Sequence, residues 1–219
     1  TAQMPSEAQR ANYTLWQIEL CREAMDAVGV DIALAVTSQK FIDVAHEIYP
    51  GRFPGVPVIF HNVEDKAAAV RAAKANPANI AARALVGDYE KAIMRPEFLA
   101  GAYDPLYAAA EEVGLPIFNS THGGCAHMAA VAEKFPHLTL IVDHLGVAQH
   151  PSSPPEAMSW APFEDLLGLA KYPNIYVKMC GGPLLSEQNY PYEDLWPNLN
   201  RLFKVFGYGR LRGGSDYTR

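Results

Sequence analysis

Asp216 closes the stretch Arg210-Leu-Arg-Gly-Gly-Ser-Asp216, directly after two glycines and a serine. His144 closes a second stretch of the same kind, Leu138-Thr-Leu-Ile-Val-Asp-His144, in which an apolar run delivers a polar pair. A carboxylate at the end of a buried strand is costly unless it is paired, hydrogen-bonded or metal-bound. Burial also fits it to take a proton from water. A histidine in that position can polarise a carbonyl, ligate a metal or pass a proton. Two strands that each release such a side chain at the C-terminal end suggest the mouth of a β/α barrel. Asp143 precedes His144, and strand alternation is expected to point it away from the mouth, into a structural role.

Five further residues join these candidates. Ser120 and His122 follow the apolar run of PIFNSTH, and side chains two apart share a face while a strand persists. Arg83 lies inside the strand-like IAARALV, where a buried cation needs a carboxylate, from the protein or from a substrate. Lys178 lies inside IYVKMC and raises the same question. His61 follows VPVIF and is at the same kind of position. His127, His137, His150 and Trp160 read as surface or loop residues, and Tyr217 as a neighbour of the mouth. Cys180 reads as a buried, inert thiol.

The elements that would position these residues alternate. Helical spacing covers 15–28, 41–48, 64–75, 104–113, 125–135, 163–171 and 192–206. Gly29 and Gly114 stand where helices stop, and Asp104-Pro105 reads as an N-cap followed by proline at the first helical position. Short apolar strands fall between the helices, at 30–37, 56–60, 80–86, 116–121, 138–142, 175–179 and 210–214. Strands alternating with helices specify a parallel sheet with right-handed crossovers. A doubly wound open sheet fits the pattern too, but no Gly-x-Gly-x-x-Gly follows the first strand, so a dinucleotide site is unsupported. The loops 150–160 and 181–196 follow strands on the face where barrels carry specificity.

The length of 219 residues suits one domain, and the net charge of −6 comes without any basic stripe, which argues against nucleic acid as a partner. No apolar run approaches the roughly 18 residues of a membrane span. Three widely spaced cysteines give no disulfide framework and suggest a reducing, cytoplasmic setting.

The phrases DPLYAAAEEVGLPIF, AEKFPHLTLIVDHLG, LAKYPNIYVKMCGG and FGYGRLRGGSD resemble those of the TIM-barrel amidohydrolases, in particular the lactonase-like branch. Upstream, AMDAVGVDIALAVTS is similar to the first helix and second strand of that family. The resemblance implies a (β/α)8 barrel of which this chain holds about seven strands, as a single domain over 1–219 without the first strand and last helix. The family opens with a strand bearing His-x-His; this chain contains none, and its first histidine is His46.

By that resemblance, the catalytic pair is Asp216, which deprotonates or orients water, and His144. The family's corresponding strand often ends in a histidine, and here Ser120 stands in that place with His122 two residues on. His122, Arg83, Lys178 and Ser120 become the substrate-binding set. The implied cofactor is none, or one divalent zinc or manganese ion, with Asp216, His122 and His144 as candidate ligands. The implied activity is hydrolysis of a small carboxylated or sugar-derived lactone, with a small molecule as partner and a homo-oligomer left open. A metal-dependent decarboxylase of the same superfamily and a non-catalytic ligand-binding barrel or inactive fragment are the alternatives.

Overall fold

The computed structural model describes residues 7–148 and 159–214. The chain enters through α1, Glu7–Ala27, which stops at Gly29 where the backbone turns left-handed (φ 71°). Next comes α2, Gln39–Ile48, whose first turn is capped by Ser38 Oγ accepting from the Phe41 amide. The two helices pack on each other through Ile18, Met25, Ile42 and Ala45. Then follow β1 (Val58–Ile59), the alanine-rich α3 (Lys66–Ala75, capped by Asp65), β2 (Ala82–Ala84) and a small antiparallel hairpin of β3 (Gly87–Asp88) and β4 (Ile93–Met94). One turn of α4 (Pro96–Leu99) leads to α5 (Asp104–Val113), β5 (Ile117–Asn119), α6 (Met128–Lys134) and β6 (Leu140–Val142). The described chain closes with α7 (Phe163–Gly168), β7 (Ile175–Met179), α8 (Trp196–Phe206) and β8 (Leu211–Gly213).

Six strands form one parallel sheet in the order β1-β2-β5-β6-β7-β8, with the hairpin apart from it. The sheet curves as in a β/α barrel but does not close, and the fold is that of an incomplete barrel. The expected strand at 30–37 is reduced to a bridge, Ala35 with Gly55. Its ladder does run on: Ala33 and Ala35 donate to the carbonyls of Arg52 and Pro54, and Val56 and Val58 donate to those of Ala35 and Thr37. It lies at the edge of the sheet, beside a segment whose Pro54 and Pro57 have no amide hydrogen to give.

One face of the sheet is covered by helices. Val70, Ala82, Ala84, Leu106, Ile117, Leu140, Val142, Phe163, Val177 and Leu202 belong to one buried cluster there. The other face is lined by Val56, Ala81, Phe118 and Ile141, with Val36 and Tyr176 against them. Register joins Val58, Arg83, Phe118, Ile141 and Tyr176 into one row across five strands of this inner face.

Two local expectations change. Asp104 opens α5 as a helical residue rather than capping it. Tyr103 takes the cap position, its hydroxyl held by the Leu85 carbonyl at 2.8 Å, while the Asp104 carboxylate turns to Lys134 at 2.6 Å. Trp160 is no loose loop residue: it packs on the helix-side core, edge-on to Phe163 with centroids 4.9 Å apart.

In Arg210-Leu-Arg-Gly-Gly the first arginine is structural. Arg210 donates to the carbonyls of Ala170, Tyr172 and Phe206 at 2.9, 2.9 and 3.2 Å, tying the end of α8 to the loop before β7. No described helix is long and apolar enough to cross a membrane.

Candidate functional site

Apart from two core tyrosines, the buried polar and charged side chains among the described residues are Asn119, Ser120, Thr121, His122, Asp143 and His144. All six lie at the C-terminal ends of two neighbouring strands, β5 and β6. A core does not collect polar groups in one place without partners or a task for them. Asn119 has partners: its Oδ1 accepts from the Tyr107 hydroxyl and its Nδ2 donates to the Ile117 carbonyl, both at 2.8 Å. It holds the strand end to α5, and its polar place inside an apolar run was the signal to seek such a bond.

His122 is 2 % exposed and has φ 44°, in the left-handed region. Its Nε2 lies 2.6 Å from Ser120 Oγ, and Ser120 Oγ donates to the Tyr89 hydroxyl at 3.0 Å. The Tyr89 ring stands over the imidazole, centroids 3.6 Å apart. Tyr89 comes from the turn of the β3–β4 hairpin, which no apolar periodicity announces because each strand has only two residues. That hairpin can pass so close because Gly87 has no side chain. A Cβ there would meet His122 Cδ2 and the Ser120 carbonyl, both at 2.8 Å.

His144 is equally buried and also left-handed, with φ 54°, and Leu145 follows at 56°. Together they turn the chain sharply after β6. The turn is closed by Gly146 donating to the Asp143 carbonyl at 2.9 Å and joined to the His122 loop by Gly123 donating to the Gly146 carbonyl at 3.1 Å. Left-handed non-glycine residues cost roughly 1–3 kcal/mol each and collect where function over-determines the backbone. Here two buried histidines share this feature at the same end of adjacent strands.

Asp143 does not point away from the inner face. It shares the parity of Ile141, and its Oδ2 accepts from Arg83 Nε at 2.7 Å, with the two side chains 1 % and 12 % exposed. The alternation runs unbroken to Asp143, and it is His144 that leaves it through its left-handed turn. Arg83 therefore meets a protein carboxylate at the mouth end of the sheet. Asp143 supplies one counter-charge for Arg83, through Nε, and the two form an ion pair.

Lys178 pairs in register with Arg212 on the inner side of β7, and its Cε lies 2.8 Å from where a Cβ of Gly214 would be. The end of β8 thus runs past the Lys178 side chain, and the Gly214 amide donates to the Met179 carbonyl at 3.2 Å. Arg212 stands over the Tyr176 ring, 5.2 Å from its centroid. Asp216, Tyr217 and His150 lie outside the described residues. His61 follows β1 half-buried, with no hydrogen-bond partner for Nδ1 among the described residues. His127 and His137 are exposed, as expected.

Cys180 is buried. Burial pushes the Cys125 thiol up to about 12, so it is no nucleophile at neutral pH. Among the described residues no group of three or more His, Cys, Asp or Glu stands together as a metal would require.

Comparison with known proteins matches this arrangement to one family. A family model described as amidohydrolase matches residues 12–218. No curated protein matches the chain. Among solved structures, an amidohydrolase from Burkholderia multivorans with bound zinc is 16% identical, with a TM-score of 0.65 over 91% of this chain and 72% of that one. A 5-carboxyvanillate decarboxylase from Novosphingobium aromaticivorans, complexed with manganese and a nitrobenzoic acid, is 18% identical, with a TM-score of 0.64 over 99% and 75%. A Pseudomonas putida protein, provisionally named as a 2-pyrone-4,6-dicarboxylic acid hydrolase, is 20% identical, with a TM-score of 0.62 over 88% and 69%. At these identities the likeness is one of fold.

Proposed function

Since this chain belongs to the amidohydrolase family, we propose that it hydrolyses a small carboxylated or sugar-derived lactone at the C-terminal end of its parallel sheet. The observation that carries the reading is the gathering of the buried polar side chains, two left-handed histidines among them, at the ends of β5 and β6. In this proposal Asp216 takes a proton from the attacking water. His144 stabilises the negative charge that grows on the carbonyl oxygen, and His122 contacts the substrate beside it. Ser120 holds the His122 ring, and Lys178 offers a cation to a substrate carboxylate. Arg83 contributes by fixing Asp143 and with it the turn that bears His144. No step is routed through a metal. One domain over 1–219 is part of the proposal.

The family contains a second chemistry, and the likeness to the decarboxylase along 99% of this chain favours keeping it as the second reading. The two differ in product. Purified protein is incubated with neutral aldonolactones, with 2-pyrone-4,6-dicarboxylate and with hydroxylated benzoates, while acid release and carbon dioxide are followed. Ring opening without carbon dioxide supports the proposal. Carbon dioxide from a benzoate, dependent on added manganese or zinc, transfers the site to the second reading. No turnover of any of them, with the ligands still bound, supports a binding barrel.

A further inference from the structure

The hairpin that crosses the mouth places a phenol where neither the strands nor the family's hydrolytic chemistry requires one. Tyr89 is half-buried and reaches solvent, whereas Ser120 and His122 beneath it are 0 % and 2 % exposed. Five contacts fix its position. The Gly87 amide donates to the Ser120 carbonyl at 2.7 Å, anchoring the start of the hairpin on the end of β5. Asp88 Oδ1 accepts from the amides of Glu90 and Lys91 at 3.1 and 3.2 Å, closing the turn around Tyr89. The Tyr89 hydroxyl accepts from Ser120 Oγ, and its ring covers the imidazole face.

A serine hydroxyl has one proton to donate. Ser120 gives it to Tyr89, so toward His122 Nε2, at 2.6 Å, Ser120 Oγ acts as the acceptor. On that arrangement the ring proton is expected on Nε2. We propose that Tyr89 is a positioning residue for His122, acting through Ser120 to fix which imidazole nitrogen carries the proton and which way the ring faces. The inference rests on the lactonase reading only for the use made of His122. The orientation of the ring stands or falls separately.

The test reads the ring itself. Long-range ¹H–¹⁵N spectra of the full chain, at a pH where the imidazole is neutral, distinguish the two tautomers, with His122→Gln assigning the signal. The parent is expected to hold the Nε2–H form about tenfold over the other. In Tyr89→Phe the Ser120 hydroxyl is released to donate to Nε2, and the Nδ1–H form should become the major one. Ser120→Ala removes the link without touching the hairpin and should leave a mixture. Ser120→Thr keeps a hydroxyl and should restore the parent signal. Thermal melting of each variant separates this effect from loss of fold, and if Tyr89→Phe fails to fold, the two Ser120 variants decide. A parent in the Nδ1–H form, or Tyr89→Phe and Ser120→Ala spectra identical to the parent's, overturns the proposal. Because no turnover is measured, a failure of lactone hydrolysis leaves this result unaffected.

Discussion

Arg83 Nε reaches Asp143 Oδ2 at 2.7 Å although their strands, β2 and β6, are not neighbours: β5 runs between them. The ion pair therefore bridges three strands on the inner face and pulls the end of β6, with its His144 turn, toward β2.

Breaking this pair from one side removes the counter-charge that the other buried group meets here. Arg83→Met and Asp143→Asn should each destabilise the protein by about 3–5 kcal/mol. Arg83→Met combined with Asp143→Leu removes both charges and should lie much closer to the parent. Denaturant melts of the three variants check this. Single variants as stable as the parent would mean that the pair is solvated and carries no structural load.

Gly87 is the second pressure point. A methyl group there meets His122 Cδ2 and the Ser120 carbonyl at 2.8 Å, and at least one of these contacts is with backbone that cannot yield cheaply. Gly87→Ala should cost about 1–3 kcal/mol and lift the hairpin from His122. Tyr89 fluorescence and a melt together report it. An unchanged melt and an unchanged ring contact would show the hairpin to be loosely seated.

The packing of α1 should be sensitive to acid. Glu19 accepts from the Tyr49 hydroxyl at 2.6 Å and from Arg22, and these bonds hold its carboxyl below the ordinary 4.5. Arg52, and then Arg22, hold Asp26 below the ordinary 3.8. Both carboxylates bind protons more weakly in the folded chain than in the unfolded one. Their stabilisation is therefore fully present above the unfolded values and is lost as pH falls through the lowered folded ones. The groups are exposed, so the effect is modest and weakens with salt. The protection of α1 amides, corrected for intrinsic exchange, should fall between about pH 5 and pH 3 more in the parent than in Glu19→Gln with Asp26→Asn. Parallel profiles would contradict this.

The sequence made β7 legible to the residue, at 175–179, and the span of α5 legible at 104–113 although its cap is Tyr103, because both are bounded by turn residues and carry clear periodicity. The strand at 30–37 was legible as an apolar run, yet an edge position beside two prolines reduces it to a bridge. The β3–β4 hairpin was not legible, since two residues per strand give no period, and Tyr89 went unseen with it. Asp143 was misplaced for a different reason. Counting alternation outward from His144 fails when His144 itself turns left-handed, a property of the backbone that its side chain does not announce. The resemblance points to Ser120 and to His122 two residues on; β5 ends at Asn119, and the two side chains meet where His122 turns left-handed.

The central claim is that Asp216 and His144 act together on a lactone carbonyl, and single-turnover and steady-state kinetics of Asp216→Asn and His144→Gln on the best lactone found test it most directly. An amide keeps the shape of the carboxylate but cannot accept a proton at neutral pH. Asp216→Asn should lower kcat by about 10²–10⁴-fold with KM little changed and the melt retained. His144→Gln should lower kcat by a similar order, about 10²–10³-fold, as expected for a lost oxyanion contact. Turnover by both folded variants within about threefold of the parent, against the loss expected of a general base, would contradict the account.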